Sequence, residues 1–193
     1  LLRFSLTTLD ISAVGRQGFI YTTRHPISAL HSLAASFRAM FSRGWEEEYA
    51  RIIATDPRVQ SFMRPSLEHN LYFSPTVEQF TALGAKEEAV MSNWAMRIPF
   101  VGSLIRGPAR AYITFLNLAR YHMATDMADK WARLYKKMGF VATDNDYSEM
   151  AHLINTSTGR GDLKWLGVDV NRYGGLLSTM LFAPRLVAAH LQW

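Results

Sequence analysis

Residues 108–138 read PARAYITFLNLARYHMATDMADKWARLYKKM. Tyr112, Leu116, Ala119, Met123, Met127, Trp131, Leu134 and Met138 recur at intervals of 4, 3, 4, 4, 4, 3 and 4. That spacing is one seam of a long amphipathic helix. Arg110, Asn117, Asp129, Lys130, Arg133, Lys136 and Lys137 fall mostly off the seam. Ile113, Phe115, Leu118 and Tyr121 widen the apolar surface of the N-terminal half, which predicts burial on more than one side there. Pro108 suits a first helical turn, and Pro99, Gly102, Gly107 and Pro108 mark a bend ahead of it. Gly139 is a C-terminal stop, and the lysines before it favour the negative end of the helix dipole.

Upstream, the pattern predicts a helix over 27–41. Ile27, Leu30, Leu33, Ala34, Phe37 and Phe41 make one stripe, read as its inward face. Gly44 breaks this helix, and a second follows from Trp45 to about Thr55. Glu46, Glu47 and Glu48 read as solvated charges at its positive end. Asp56-Pro57 ends it, because the residue before proline is pushed out of helical geometry. Residues 57–84 are proline-punctuated and irregular, either an extended connector or an exposed arm. A further helix is expected from Ala85 to Pro99.

Downstream, DNDYSEMAHLINTS reads as a helix capped by Asp144 or Asp146, with Glu149 in the capping-box spacing. Met150, Leu153 and Ile154 are its inward residues, and Gly159 or Gly161 ends it. A final pair of helices is expected over 169–182 and 184–192. Short strand pieces compete only near RFSL and FIYTT. The fold class is therefore all-α: a multi-helix bundle, elongated or compact, with one long amphipathic helix and helical hairpins. The organisation is an N-terminal segment and hairpin (1–56), an irregular connector (57–84) and a main helical domain (85–193). Leu1 opens inside a hydrophobic run, so the chain reads as part of a longer polypeptide.

The composition limits the chemistry. The 193 residues are 49% hydrophobic and 19% charged, enough for a core and too apolar for a disordered tail. There is no cysteine, which removes disulfides, thiolate metal sites and cysteine nucleophiles. No run of about 18 uncharged apolar residues spans a membrane, although 98–123 and 174–192 are apolar enough to lie in an interface. Asn155-Thr156-Ser157 matches a glycosylation sequon and Arg160-Gly161-Asp162 an adhesion tripeptide. Both read as chance matches at a helix terminus. STGRGD is no phosphate loop, because a helix precedes it and Lys164-Trp165 replaces the required Lys-Ser/Thr. His25, His31, His69, His122, His152 and His190 show no zinc-ligand spacing, and no serine-nucleophile motif is present. Catalytic residues, metal ligands and cofactors are thus not expected.

The net charge of +5 is concentrated in the middle of the chain: residues 97–139 carry eight Lys/Arg against two Asp/Glu. Arg106, Arg110, Arg120, Lys130, Arg133, Lys136 and Lys137 are the candidate surface for an anionic partner. Trp94, Met123, Met127 and Trp131 are the candidate interface, since methionine suits adaptable contacts.

Three segments carry a resemblance. Asp10, Ser12, Ala13, Arg16, Gln17 and Gly18 form the first. Arg97, Ile98, Pro99, Val101, Gly102, Leu104 and Arg106, followed by Arg110, Ala111, Tyr112, Thr114, Phe115, Leu116 and Asn117, form the second. Asn155, Thr158 to Leu163, Phe182, Pro184 and Arg185 form the third. In this order they resemble a region of very large bacteriophage polyproteins, the large polyvalent proteins, some of which are internal virion proteins that travel with the genome. The family carries no settled catalytic residues over. The resemblance implies a non-enzymatic helical segment inside a capsid or tail, ejected with the genome and reaching the host envelope. Its partners would be other virion subunits, further copies of itself, DNA or a membrane, with no small-molecule substrate. The alternatives are a passive helical spacer between enzymatic domains and a basic nucleic-acid-binding module.

Overall fold

The computed structural model describes residues 19–79 and 101–160. The helices expected at 85–99, 169–182 and 184–192, the piece RFSL and Trp94 lie outside them. Among the described residues the fold is all-α. It comprises α1 (Phe19–Arg24), α2 (Pro26–Phe41), α3 (Arg43–Thr55), α4 (Pro57–Gln60), α5 (Val101–Met138) and α6 (Asp144–Ser157). FIYTT belongs to α1, so the strand alternative there is corrected. α5 passes through Gly107 and Pro108 without ending, where a bend was expected.

α5 is the axis. Residues 114–120 are buried at every position, so this half is enclosed all round, as the widened apolar pattern predicts. The same enclosure keeps 114–120, within the stretch 98–123, from lying in a bilayer interface. One core joins Ala35 of α2, Ile53 of α3, Val59 and Phe62, Leu71, Leu118 and Ala124 of α5, and Ala151 and Ile154 of α6.

α2 meets α5 with its small side. Ala29, Ser32, Ala35, Ser36 and Ala39 are buried, while Ile27, Leu30, Phe37 and Phe41 face outward, Phe41 with 81% of its surface exposed. Of the expected inward stripe, Leu33 packs against the cluster of Phe115, Leu116 and Ala119, and the other large residues are corrected to the outer face. The cause is close helix approach. A Cβ on Gly107 would come within 2.9 Å of the Met40 carbonyl oxygen, so only small side chains fit between the axes. The buried hydroxyls are satisfied locally. Ser36 donates to Leu33 O at 2.7 Å. Ser32 donates to Ser28 O and accepts from the Tyr21 hydroxyl, both at 2.9 Å.

The α2–α3 break falls at Ser42, which is extended at φ −143°, and Gly44 lies inside α3. Asp56 ends α3 and caps α4, accepting from Arg58 N at 2.9 Å. The arginine beside it holds its carboxyl down at about 2.

Residues 61–76 follow as an irregular run, with turns and bends up to His69. It is no exposed arm: Phe62, Leu67 and Leu71 are buried. Its backbone groups find side-chain partners on the helices, as buried polar backbone must. Asn117 accepts from Ser74 N at 2.9 Å and donates back to Ser74 O at 2.8 Å. Asn155 accepts from Tyr72 N at 3.0 Å and donates to Asn70 O at 2.9 Å. Ser148 accepts from His69 N at 2.8 Å. The sequon asparagine is thereby a structural clasp.

α6 begins with a capping box formed by Thr143 and Asp146, in place of the expected Asp146 and Glu149. Ile154 is buried, whereas Leu153 points outward and is corrected. Gly159 takes the positive φ of 80° that ends the helix. Arg160 lays its guanidinium 3.3 Å from the centre of the Tyr72 ring.

Candidate basic arm and its neighbours

α5 loses its neighbours after Trp131. That indole stacks on Phe62 with ring centres 5.7 Å apart and meets Tyr147 edge-on at 4.8 Å. Every residue from Ala132 to Gly139 is exposed. Gly139, at φ 71°, closes the helix by donating its N–H to Tyr135 O at 2.8 Å. The result is a helical arm of two turns. It carries Arg133, Lys136 and Lys137, which make no ion pair among the described residues, with Leu134, Tyr135 and Met138 between them.

The seven cations proposed from sequence separate into three groups. Arg133, Lys136 and Lys137 form the arm. Lys130 pairs with Asp126 at 2.7 Å, which neutralises it one turn below. Arg106, Arg110 and Arg120 leave the expected surface. Arg106 is half-buried. Arg110 donates from Nε to Ala39 O and from Nη2 to Met40 O, both at 3.0 Å, and so caps the C-terminal carbonyls of α2. Arg120 is 1% exposed. It donates to Thr158 Oγ1 at 2.9 Å and lies over the Tyr72 ring at 5.4 Å. Spacing gives an arginine's angle around the helix, but α5 is buried on every side at the level of Arg120 and half-buried at Arg106 and Arg110. Of the interface residues read from sequence, Met123, Met127 and Trp131 are half-buried and pack against the core.

Two polar clusters were missed. Glu46, read as solvated, is 3% exposed. Its Oε1 accepts from Val77 N at 2.9 Å. Burial raises its pKa to about 7, the Val77 N–H opposes this, and the nearby Glu78 carboxylate adds to the rise. Arg110 Nη1 stands 4.0 Å from Glu78 Oε1. The Oε2 atoms of Glu46 and Glu78 are both buried without a hydrogen-bond partner. The signal was available, since Glu46 lies seven residues, about two turns, before the buried Ile53, on the same face. The second cluster centres on Tyr21, stacked between His25 at 5.9 Å and His122 at 6.4 Å. Burial lowers the His122 pKa, and His31 and His25 add to that, while burial pushes the Tyr21 phenol up to about 12.

Among the described residues no group of three His, Asp or Glu side chains could hold a metal ion, and no helix is long and apolar enough to cross a membrane. No protein-family model matches the chain, and no curated protein or solved structure matches it.

Proposed function

We propose that the chain is a non-enzymatic helical binding module that engages a polyanion, duplex DNA first, through the free end of α5. The observation that carries this reading is the arm itself. Three cations project beyond the core without neutralising partners among the described residues, on a chain of net charge +5. Such a surface attracts phosphate by charge and counterion release, independent of base sequence. The helix C-terminus also holds the cations against its dipole, so they are pre-placed.

The setting we propose is a phage virion, with the chain carried inside the particle and delivered with the genome. The sequence resemblance supports it. The test compares intact particles of the phage that carries this sequence with particles emptied of DNA, quantifying the polypeptide in each by mass spectrometry. Loss with the genome is the expected result. Retention makes it a fixed part of shell or tail, and absence from both removes the virion setting. The binding reading is tested separately. Duplex DNA should bind the full chain and release when Arg133, Lys136 and Lys137 are all changed to Gln, while Arg120, held inside, contributes no contact to DNA.

A further inference from the structure

The outer face of α2 has no partner among the described residues. Ile27 (70% exposed), Leu30 (66%), Phe37 (47%) and Phe41 (81%), with Trp45 (44%) at the start of α3, form a continuous apolar strip. They lie opposite Ala29, Ser32, Ser36 and Ala39, which seat the helix on α5. α2 is therefore apolar on both sides, small residues inside and large ones outside. Folding accounts for the inner side only. An isolated exposed leucine is ordinary, but five large side chains in one strip mark a contact surface.

The charges around the strip indicate what it meets. The helices α1 and α2 carry Arg24 and Arg38 and no Asp or Glu. Arg24 is the exposed last residue of α1, across the non-helical His25 from the start of the strip. Arg38 lies at the strip's edge with its guanidinium 5.6 Å from the Trp45 ring centre. Arg43 pairs with Glu47 at 2.7 Å. A second copy of the same face would set arginine against arginine with no carboxylate on α2 to meet it. An anionic surface with an apolar interior satisfies both features at once. We infer that this face of α2 docks on an anionic lipid bilayer, with Phe37, Phe41, Ile27 and Leu30 entering the acyl boundary and Arg24 and Arg38 reaching phosphate groups. Aromatic and branched side chains opposite a cationic margin are the chemistry of helices that lie in the membrane surface. α2 lies on the bilayer and does not cross it. The inference adds a second contact to the binding-module reading and uses different residues.

The test is flotation of the full chain with vesicles of pure phosphatidylcholine and of phosphatidylcholine mixed with phosphatidylglycerol. The partners are Phe37→Asp/Phe41→Asp, Arg24→Gln/Arg38→Gln and the arm variant Lys136→Gln/Lys137→Gln. Because Phe37 and Phe41 are exposed, helical circular dichroism should be unchanged in the first variant. The wild type should float with the anionic vesicles. The Phe variant should lose at least about tenfold in partitioning, as expected for removal of buried apolar area, and the Arg variant should lose selectivity for anionic lipid. The arm variant should float as the wild type does while losing DNA binding, which separates the two surfaces. Wild-type binding to both vesicle types alike, unchanged binding by the Phe variant, or loss of flotation only in the arm variant would each overturn the inference. So would a wild-type dimer that fails to float and becomes monomeric on Phe37→Asp/Phe41→Asp, because the face would then join two copies.

Discussion

Replacing Glu46 with Gln should stabilise the protein, and by an amount that depends on pH. The carboxyl is buried against Val77 N–H and beside Glu78, and its pKa rises from 4.5 to about 7. A shift of this size corresponds to about 3 kcal/mol at 1.36 kcal/mol per unit. The folded-state pKa is raised, so the favourable contribution is complete below 4.5, where the group is protonated in both states. As pH rises toward 7 the unfolded chain releases its proton while the folded chain keeps it, and stability falls by up to about 1.4 kcal/mol per pH unit. Above about 7 both forms are ionised and the loss is complete. Glutamine stays neutral throughout. Its amide oxygen can accept from Val77 as Oε1 does, and its amide nitrogen can donate to Glu78 Oε2, which now has no partner. The variant should therefore match the wild type near pH 4.5 and exceed it by about 3 kcal/mol at pH 8, a rise of roughly 6–12 °C in Tm for a chain of this size. Urea denaturation at pH 4.5, 6 and 8 measures the difference directly. Subtracting the wild type also removes His122, whose lowered pKa acts in the opposite direction, and Asp56, whose lowered pKa costs stability only at still lower pH. A difference that stays flat with pH, or a variant less stable at pH 8, would refute the buried-carboxylate account.

Other substitutions probe the packing. Gly107→Ala places a methyl within 2.9 Å of Met40 O and forces α2 from α5; a loss of about 1–3 kcal/mol is expected in urea unfolding despite the better helix propensity of alanine. Asn117→Ala strips partners from both backbone groups of Ser74 and should cost about 2–4 kcal/mol, with faster amide exchange confined first to residues 72–76. Thr143→Ala removes the cap of α6 and should cost about 1 kcal/mol by thermal unfolding.

The helices with strong periodicity were legible. The seam from Tyr112 to Trp131 identifies α5, and Gly139 marks its end. α2 and α3 are close to their expected spans because Pro26 and Asp56-Pro57 punctuate the chain chemically. What sequence pattern misjudges is which face turns inward. Most of the heavier stripe of α2 was read as core, yet small residues seat the helix on its neighbour, with the backbone at Met40 close against Gly107. The same limit applies to the cations of α5. Spacing gives the angle of Arg110 and Arg120 around the helix, but whether that angle meets water depends on residues 61–76, which arrive from far along the chain and carry no periodic signal. Asn117 and Asn155 hold that run, and a single asparagine on a helix gives no warning of such a clasp. Arg133, Lys136 and Lys137 were legible as charges, and among the described residues the helix end that carries them is exposed.

The central claim, that the end of α5 binds a polyanion, is met most directly by the salt dependence of duplex DNA binding, read by fluorescence anisotropy on the full chain. Three phosphate contacts give a slope of about −2.7 in log K against log salt, so affinity should fall about fortyfold between 50 and 200 mM. Changing Arg133, Lys136 and Lys137 to Gln should flatten that slope toward zero and abolish measurable binding. No binding by the wild type at low salt, or the same affinity and slope in the triple variant, would contradict the claim.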